Sequence, residues 1–260
     1  MPDAQYVTVA MEEGVATLTI NNPPANVLSK AVMTELNATL DRVAQDTTLR
    51  AIVIAAAGTF FIAGADIKEI GTLKGAADGE RATRLGQSVF DKIAAMPVPV
   101  IAAINGMCLG GGTELALACH LRIASDRARL AQPEINLGII PGFGGTQRLP
   151  RVVGAARALE MCLTGDMITA QTAYAIGLVN KVVPDGEVLK QAQGLAKKIA
   201  SKGRVAITAI MTAVREGLTK PLAEGLALES QLFGTICETQ DMQEGVTAFL
   251  EKRQPKFQGR

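Results

Sequence analysis

The sequence predicts a mixed α/β fold, and three observations support that prediction. Short, continuous apolar runs alternate with segments whose apolar residues recur at helical spacing. Clusters of glycine and proline separate the two kinds of segment. From Val188 onward the sequence is almost wholly of the helical kind. Because buried strands that alternate with helices are typical of α/β proteins, we predict an α/β core over residues 1–190 and a helical region over residues 191–260.

The first elements follow from local pattern. Residues 15–20 alternate and are rich in β-branched side chains, which predicts a half-buried strand. The run Asn21-Asn22-Pro23-Pro24 ends it. Ser29 is a predicted helix N-cap. The apolar residues after it recur at helical spacing: Val32, Met33, Leu36, Leu40 and Val43.

Later elements alternate in the same way. The apolar runs 51–55 and 98–104 predict buried strands. Residues 60–62 predict a further strand that enters a tight turn, and a second helix is predicted over about residues 112–119. Residues 71–80 contain three glycines and no regular period, so we expect a mobile connection there that covers a site.

Composition excludes several classes of function. With 26 basic and 25 acidic residues, the chain has no electrostatic signature of a nucleic-acid-binding or membrane-surface protein. No apolar run approaches the roughly 18 residues of a membrane span. The first five residues do not resemble a targeting segment, and the four cysteines lack C-x-x-C spacing, so we expect a cytoplasmic protein with reduced thiols.

Two glutamates are the strongest chemical signal. Glu114 follows the triple glycine Gly110-Gly111-Gly112 and Thr113, and Glu134 lies twenty residues further on. Either glutamate alone would be interpreted as a solvated or helix-capping residue. Their apolar, glycine-rich surroundings predict burial, which raises the pKa of a carboxyl and suits it to proton transfer. Two such groups can hold one water, as addition of water across a double bond requires.

Two turns can present free backbone N–H groups to a ligand. The strand, glycine turn and helix start at Gly111 can aim an amide at an oxygen atom, although a simple packing turn is equally compatible. The motif G-x-x-x-x-G-K-[ST] is missing, so a single oxyanion suits this turn better than a pyrophosphate. Ala65 and Asp66 form the second turn, and two donors make an oxyanion hole. Lys68 is a candidate for ligand phosphates, with a solvated helix lysine as the simpler interpretation.

Other catalytic arrangements lack support in the sequence. His120 is the only histidine and follows Cys119 directly, so the two side chains point away from each other. One histidine and scattered cysteines cannot supply a metal cluster, so no metal is expected. A G-x-S-x-G nucleophile motif is also missing.

Over nearly its whole length the chain resembles the crotonase family, also called the enoyl-CoA hydratase/isomerase superfamily. The motifs that carry the resemblance are highly specific in combination. They are Phe61-Ile62-Ala63-Gly64-Ala65-Asp66-Ile67-Lys68-Glu69, Ala103-Ile104-Asn105-Gly106, Gly110-Gly111-Gly112-Thr113-Glu114-Leu115, Gln132-Pro133-Glu134-Ile135, Gly144-Gly145-Thr146-Gln147-Arg148-Leu149, and Phe249-Leu250-Glu251-Lys252-Arg253-Gln254-Pro255-Lys256-Phe257.

The resemblance implies a crotonase-like β-β-α spiral core with a helical C-terminal region used for trimerisation, in a trimer or dimer of trimers. It implies an acyl-CoA thioester ligand, with coenzyme A as part of the substrate and no other cofactor. The amides of Ala65 and Gly111 would hold the thioester oxygen, and Gly142 would donate an N–H to the catalytic water. The remaining assignments concern substrate binding and catalysis: Ala63, Ala65, Asp66, Ile67 and Lys68 along the coenzyme A path, and Glu114 and Glu134 around the water.

The resemblance also separates candidate activities. Family hydratases have both glutamates, whereas isomerases keep only the one that matches Glu134, so the sequence favours an enoyl-CoA hydratase. The alternatives are a Δ3-Δ2-enoyl-CoA isomerase, another acyl-CoA enzyme of the family, or a non-catalytic RNA-binding or scaffolding member. Thr113 stands where similar hydratases often have Cys, and His120 where they often have Asp. Neither position has a role in the family mechanism.

Overall fold

A computed structural model describes residues 5–260. Within these residues the strands form two sheets. The larger sheet has the spatial order β1 (Val7–Glu12), β2 (Val15–Ile20), β3 (Ala51–Ala56), β5 (Val100–Ile104), β7 (Leu121–Ser125) and β10 (Lys181–Val183). The smaller sheet has the order β4 (Phe60–Ile62), β6 (Met107–Leu109), β8 (Arg129–Ala131) and β9 (Ile168–Thr169).

Helices connect the strands and form the C-terminal region of the chain. The helices of the first half are α1 (Lys30–Ala44), α2 (Ile67–Ile70), α3 (Ala76–Ala94) and α4 (Gly111–Ala118). A 3₁₀ helix covers Pro133–Leu137. The remaining helices are α5 (Gly145–Val153), α6 (Ala155–Thr164), α7 (Ala170–Ala175), α8 (Val188–Ala200), α9 (Arg204–Gly217), α10 (Leu222–Cys237) and α11 (Gln240–Leu250).

A β-β-α unit repeats along the chain. In each repeat the first strand joins the larger sheet, the second joins the smaller sheet, and a helical segment follows: β3, β4 and α2; β5, β6 and α4; β7, β8 and the 3₁₀ helix. Equivalent strands of successive repeats pair in parallel, β3 with β5 and β5 with β7, and β4 with β6 and β6 with β8. The predicted crotonase-like spiral with C-terminal helices is therefore confirmed.

The central strands of the larger sheet are buried on both faces, which explains their continuous apolar sequences. In β5, Val100, Ala102 and Ile104 join the main core between the sheets. Ile101 and Ala103 face the other side and pack in a second core that includes Ala192 and Ala196 of α8. Because a strand covered on both faces needs apolar residues at every position, the uninterrupted pattern is the expected one.

The predicted elements are present with small shifts in their bounds. The expectation that the strand over residues 15–20 is half-buried is wrong, because β2 is a central strand and is buried at five of its six positions. Ser29 is the N-cap of α1, and its side chain accepts a hydrogen bond from the amide of Val32. The expectation of an irregular segment over residues 71–80 is wrong beyond Gly75, because α3 begins at Ala76. Gly75 is the N-cap of α3 and has a φ of 82°, a conformation that glycine adopts readily. The glycine that suggested an irregular segment therefore marks the start of a helix.

The C-terminal helices also match expectation, since α8 to α11 occupy most of the chain after Val188. The predicted boundary at residue 190 falls inside α8, which packs on the larger sheet. The division of the chain into two regions stays a prediction. None of the helices in the described part of the chain is both long enough and apolar enough to span a membrane.

Helix α4 is held at its C-terminal end by a buried arginine. Arg122 on β7 donates hydrogen bonds to the carbonyl oxygens of Cys119 and Leu178, each at 2.7 Å, and to that of Ala116 at 3.2 Å. Burial lowers the pKa of this guanidinium. A cation at the negative end of a helix is a favourable arrangement, so Arg122 fixes the end of α4 opposite its glycine turn.

His120 lies directly after this helix and has a structural contact. Its Nδ1 accepts a hydrogen bond from the amide of Val100 at 3.0 Å. Burial lowers the pKa of the imidazole, which favours the neutral form that this acceptor role requires. The histidine therefore links the end of α4 to the start of β5.

Close packing at Gly112 generates a stability prediction. A Cβ at Gly112 would overlap the carbonyl oxygen of Ile62 on β4. We expect Gly112→Ala to lower the free energy of unfolding by about 1–3 kcal/mol, as overpacking does. Gly79→Ala in α3 is the matched control, because a Cβ there meets nothing within 4 Å. The control should be neutral or stabilising by up to about 1 kcal/mol. Urea denaturation of both variants measures the difference, and equal stability would contradict the packing argument.

Candidate active site

Glu114 is a buried carboxylate in the first turn of α4, with 1% of its surface exposed. Its Oε1 accepts hydrogen bonds from the amides of Phe143 at 2.8 Å and Gly145 at 2.7 Å. Burial raises the pKa of Glu114 to about 7, and the nearby charge of Glu134 adds to the rise, while the two amide donors oppose it. The group is therefore fixed in orientation and able to gain or lose a proton near neutral pH.

Glu134 lies in the 3₁₀ helix that follows β8 and is half-buried. Burial raises the pKa of its carboxyl to about 7. The side-chain amide of Gln132 lies 3.1 and 3.2 Å from the two oxygens of this carboxylate, and when its nitrogen is turned toward them it donates to both. Gln132 is itself fully buried, so it orients Glu134 from inside the protein.

The structure brings the two predicted glutamates to one site. A Cβ at Gly145 would lie 3.0 Å from Oε1 of Glu114 and would overlap the side-chain amide of Gln132. That amide in turn contacts Glu134. Glycine at position 145 thus leaves room for both groups, and the carboxylates lie near enough for the charge of Glu134 to raise the pKa of Glu114.

The predicted amide donors, Ala65 and Gly111, also lie beside each other. A Cβ of Gly111 would be 3.3 Å from the backbone nitrogen of Ala65. Neither N–H has a protein acceptor among residues 5–260. Gly110, with a φ of 52°, turns the chain into α4, and a Cβ on it would lie 2.7 Å from Oε1 of Glu134. The amides and the acid therefore border the same space, where unpaired donors can bind an oxyanion.

The Ala63–Lys68 segment lies at the rim of this space. The amide of Ala63 donates to the carbonyl of Ala25, and Ala65 forms a bridge with Leu28. Asp66 caps α2 by accepting the amide of Lys68 at 2.8 Å. Ile67 and Lys68 are exposed. The segment combines a buried amide turn with side chains that reach solvent.

Gly142 directly precedes Phe143, whose amide donates a hydrogen bond to Glu114. Its carbonyl accepts a hydrogen bond from Gln87 at 2.9 Å, and its N–H has no acceptor in the described part of the protein. A Cβ on Gly142 would lie 2.8 Å from Cγ2 of Thr83 on α3. The position predicted to donate to a water is thus available, and α3 packs directly over it.

Sequence reasoning assigned no role to three residues that shape this site. They are Gln132, Phe143 and Gly145. The ring of Phe143 packs edge-on against Phe90, with centroids 5.7 Å apart, and lies over Gly86, where a Cβ would overlap it. The glycine cluster after Glu134 signalled an unusual backbone, but the pattern contains nothing that identifies which amides face Glu114.

This arrangement can exchange protons at two adjacent points of a ligand. Two carboxyls with pKa values of about 7 supply an acid and a base together at neutral pH. Two unpaired amides at the start of α4 and before α2 can stabilise a negative oxygen. Positive charge at a helix N-terminus strengthens the donor at Gly111.

Comparison with known proteins identifies the family. A family model described as "Enoyl-CoA hydratase/isomerase" matches residues 10–260. The chain is 46% identical over 254 residues to a probable enoyl-CoA hydratase of Bacillus subtilis (strain 168), with 97% of this chain and 98% of that protein covered. It is 44% identical over 255 residues to a crotonyl-CoA hydratase of Syntrophomonas wolfei, with 97% and 98% covered.

Solved structures agree with the sequence relatives. An enoyl-CoA hydratase structure from Bacillus anthracis superposes with a TM-score of 0.94 at 40% identity, covering 98% of this chain and 100% of that chain. The structure of Pseudomonas aeruginosa DspI gives a TM-score of 0.93 at 37% identity, covering 99% and 98%. The protein belongs to the enoyl-CoA hydratase/isomerase family.

Proposed function

We propose that this protein is an enoyl-CoA hydratase, a hydro-lyase that adds water reversibly and in the syn sense to a trans-2-enoyl-CoA, giving the 3-hydroxyacyl-CoA. The observation that carries this proposal is the pair of glutamates, Glu114 and Glu134, at one site with pKa values of about 7. Hydration needs a base for the water and an acid for carbon at the same time, and one proton shared by this pair supplies both.

In the proposed mechanism the thioester oxygen accepts hydrogen bonds from the amides of Ala65 and Gly111. Ionised Glu114 takes a proton from the water as its oxygen bonds to C3. The electrons of the double bond move toward the thioester, and the amides stabilise the resulting enolate. Protonated Glu134 then gives its proton to C2. Because both carboxyls act from the same side of the substrate, the addition is syn.

The contacts of Glu114 support its assignment to the water. Both amide donors use Oε1, so Oε2 is left for the water. The free N–H of Gly142 is proposed as the second contact of that water. The division of labour between the carboxyls is a property of the pair, since closely coupled groups titrate together.

Coenzyme A enters this reaction as part of the substrate, and the proposed chemistry uses no other cofactor. Ala63, Ala65, Asp66, Ile67 and Lys68 are proposed to line its path into the site. Exposed Lys68 is suited to the phosphates, while the Asp66 carboxylate is occupied in capping α2.

A Δ3-Δ2-enoyl-CoA isomerase is the second candidate, since Glu134 alone could move a proton between C2 and C4. Glu114 favours the hydratase, because an isomerase has no water to activate. We also propose a cytoplasmic location and a role in fatty-acid or short-chain acyl-CoA metabolism, such as β-oxidation, on the basis of composition and the proposed substrate.

The direct test follows the absorbance of the enoyl-thioester band when purified protein meets crotonyl-CoA. Loss of the band with formation of 3-hydroxybutyryl-CoA supports the hydratase. If the band persists, longer and branched 2-enoyl esters extend the test. Turnover of 3-enoyl esters alone would replace the hydratase by the isomerase.

Removing the proton of Glu134 tests the carboxylate assignment. We expect Glu134→Gln to lower kcat by about 10²–10⁴, because an amide keeps the shape but cannot exchange the proton. The KM should change only a few-fold. Glu160→Gln, on the exposed surface of α6, is the control and should be as active as the wild type. Near-normal kcat in Glu134→Gln would remove this residue from the mechanism.

The coupled pair also predicts a bell-shaped dependence of kcat/KM on pH. At low pH both carboxyls are protonated and no base remains, whereas at high pH both are ionised and no acid remains. Since both pKa values are about 7, we expect the maximum near neutral pH with a limb on each side. Incubation at each pH followed by assay at pH 7 controls for inactivation. A flat profile between pH 5 and 9 would contradict the shared-proton mechanism.

The resemblance to trimeric proteins motivates a proposal about assembly. Helices α9 to α11 and the C-cap residue of α9 expose large apolar side chains, among them Phe249 and that C-cap, Leu218, each 83% exposed. Because large exposed apolar side chains gathered in one region of a chain often mark an interface, we propose that copies of this chain cover them in a trimer or dimer of trimers.

Sedimentation analysis tests this assembly. We expect a mass of three or six times the 27.2 kDa chain. Leu218→Glu should shift the protein to smaller species, because it places a charge in the apolar interface, whereas Lys220→Glu on the nearby exposed surface serves as the matched control. A monomeric wild type would contradict the proposal.

A further inference from the structure

Thr113 is a buried residue that lies between the helix that supplies Glu114 and the strand that leads to Glu134. It lies in the first turn of α4, between Gly112 and Glu114, and has no exposed surface. Its hydroxyl has a single proton, which two carbonyl oxygens share: that of Cys108 at 2.7 Å and that of Ala131 at 2.9 Å. A threonine hydroxyl inside a helix usually bonds a carbonyl of its own helix, four residues back. Here both acceptors lie outside α4, on the neighbouring strands β6 and β8.

The carbonyl oxygen of Ala131 accepts hydrogen bonds from two residues at the start of α4. Ala131 is the last residue of β8, and the chain passes from it through Gln132 to Glu134. Its carbonyl oxygen also accepts the amide of Gly110 at 3.0 Å. The Ala131 oxygen is therefore bonded to Gly110 and to Thr113. These two residues directly precede the oxyanion donor Gly111 and the carboxylate Glu114 in the sequence.

The hydrogen bonds at the Ala131 carbonyl link Glu114 to Glu134 by a short path through the protein. From the Ala131 carbonyl, the backbone runs in one direction to Gln132 and its carboxylate partner, Glu134. The hydrogen bond from Thr113 leads in the other direction to Glu114. The separation of the two carboxyls thus depends on how closely the first turn of α4 is tied to the end of β8.

The sequence alone gives Thr113 no role, and a residue of the same shape without a hydroxyl would fill the same space. Such a residue would leave the Ala131 carbonyl with only the Gly110 donor. The Ala131 carbonyl would stay hydrogen-bonded, but the tie from position 113 would be lost, and a buried hydrogen bond contributes to the stability of the arrangement that it closes. The first turn of α4 would then be tied to the end of β8 by the Gly110 amide alone, and Glu114 could shift relative to β8.

We propose that Thr113 is a positioning residue, whose hydroxyl sets the separation between Glu114 and Glu134 by tying α4 to the Ala131 carbonyl. The inference rests on the proposed hydratase function and deepens it. Thr113 has no contact with substrate in this role and acts only through the carboxyls on either side of that carbonyl.

The test compares Thr113→Val, which has the same shape but no hydroxyl, with Thr113→Ser, which keeps it. We expect Thr113→Val to lower kcat for crotonyl-CoA by about tenfold to a hundredfold, because small misplacements of catalytic groups have effects of that size. The KM should change by less than about threefold, since the coenzyme A contacts are unaffected. Thr113→Ser should recover most of the lost kcat.

The pH profile supplies a readout that a purely structural role would not change. Greater separation weakens the repulsion between the two carboxylates, so the second proton leaves more easily. In Thr113→Val the alkaline limb of the bell should therefore move to lower pH. Thr39→Val is the control, because Thr39 is also buried but lies on α1. It should leave kcat and the pH profile unchanged.

The outcomes are distinct. A wild type that turns over no 2-enoyl ester overturns the proposed function, and this inference with it. An active wild type with Thr113→Val equal to it in kcat and pH profile overturns only the inference, even if Thr113→Val melts at lower temperature. If Thr113→Val does not fold, Thr113→Ala takes its place, and the same comparison with Thr113→Ser decides.

Discussion

The hydrogen bonds from the amides of Phe143 and Gly145 to Glu114 are the interaction on which the site depends. They fix the orientation of a buried carboxylate, and they oppose part of the rise in its pKa. Position 145 needs a glycine, because a side chain there would collide with the groups around the Glu114 carboxylate. All residues of α4 are buried, and this burial keeps the pKa of Glu114 near 7.

This arrangement opposes folding at the pH where it is useful. A pKa raised from 4.5 to about 7 means that the folded state holds a proton that the unfolded state has lost. Stability therefore falls as pH rises from about 4.5 to 7, by up to roughly 3 kcal/mol for each carboxyl. The compensation lies in the two cores around the larger sheet and in the charge of Arg122 on the end of α4. The packing around Glu114 and Glu134 must therefore offset the unfavourable free energy of ionising two carboxyls in a buried site.

The sequence predicts the long-range architecture better than the details of the site. Residues 51–55 and 100–104 are apolar throughout because both faces of their strands are buried, so the pattern itself contains the fold class. Strand β6 is only three residues long, too short for any period, and it was not predicted. Glu114 and Glu134 stand out because carboxylates are rare in apolar, glycine-rich surroundings. The orientation of Gln132 and the choice of amides that face Glu114 depend on tertiary contacts, which local patterns cannot specify.

The spiral explains why these groups meet at all. Strands β6 and β8 are parallel neighbours, so the turns that follow them leave the smaller sheet at the same edge. One turn starts α4 and supplies Gly111 and Glu114; the other starts the 3₁₀ helix and supplies Glu134. Because each group comes from a different repeat, either can change while the frame and the oxyanion donors stay in place. The reaction that such a site can perform depends on its few polar side chains. The distance between those side chains depends on the contacts between neighbouring repeats, such as the hydrogen bonds at the carbonyl of Ala131.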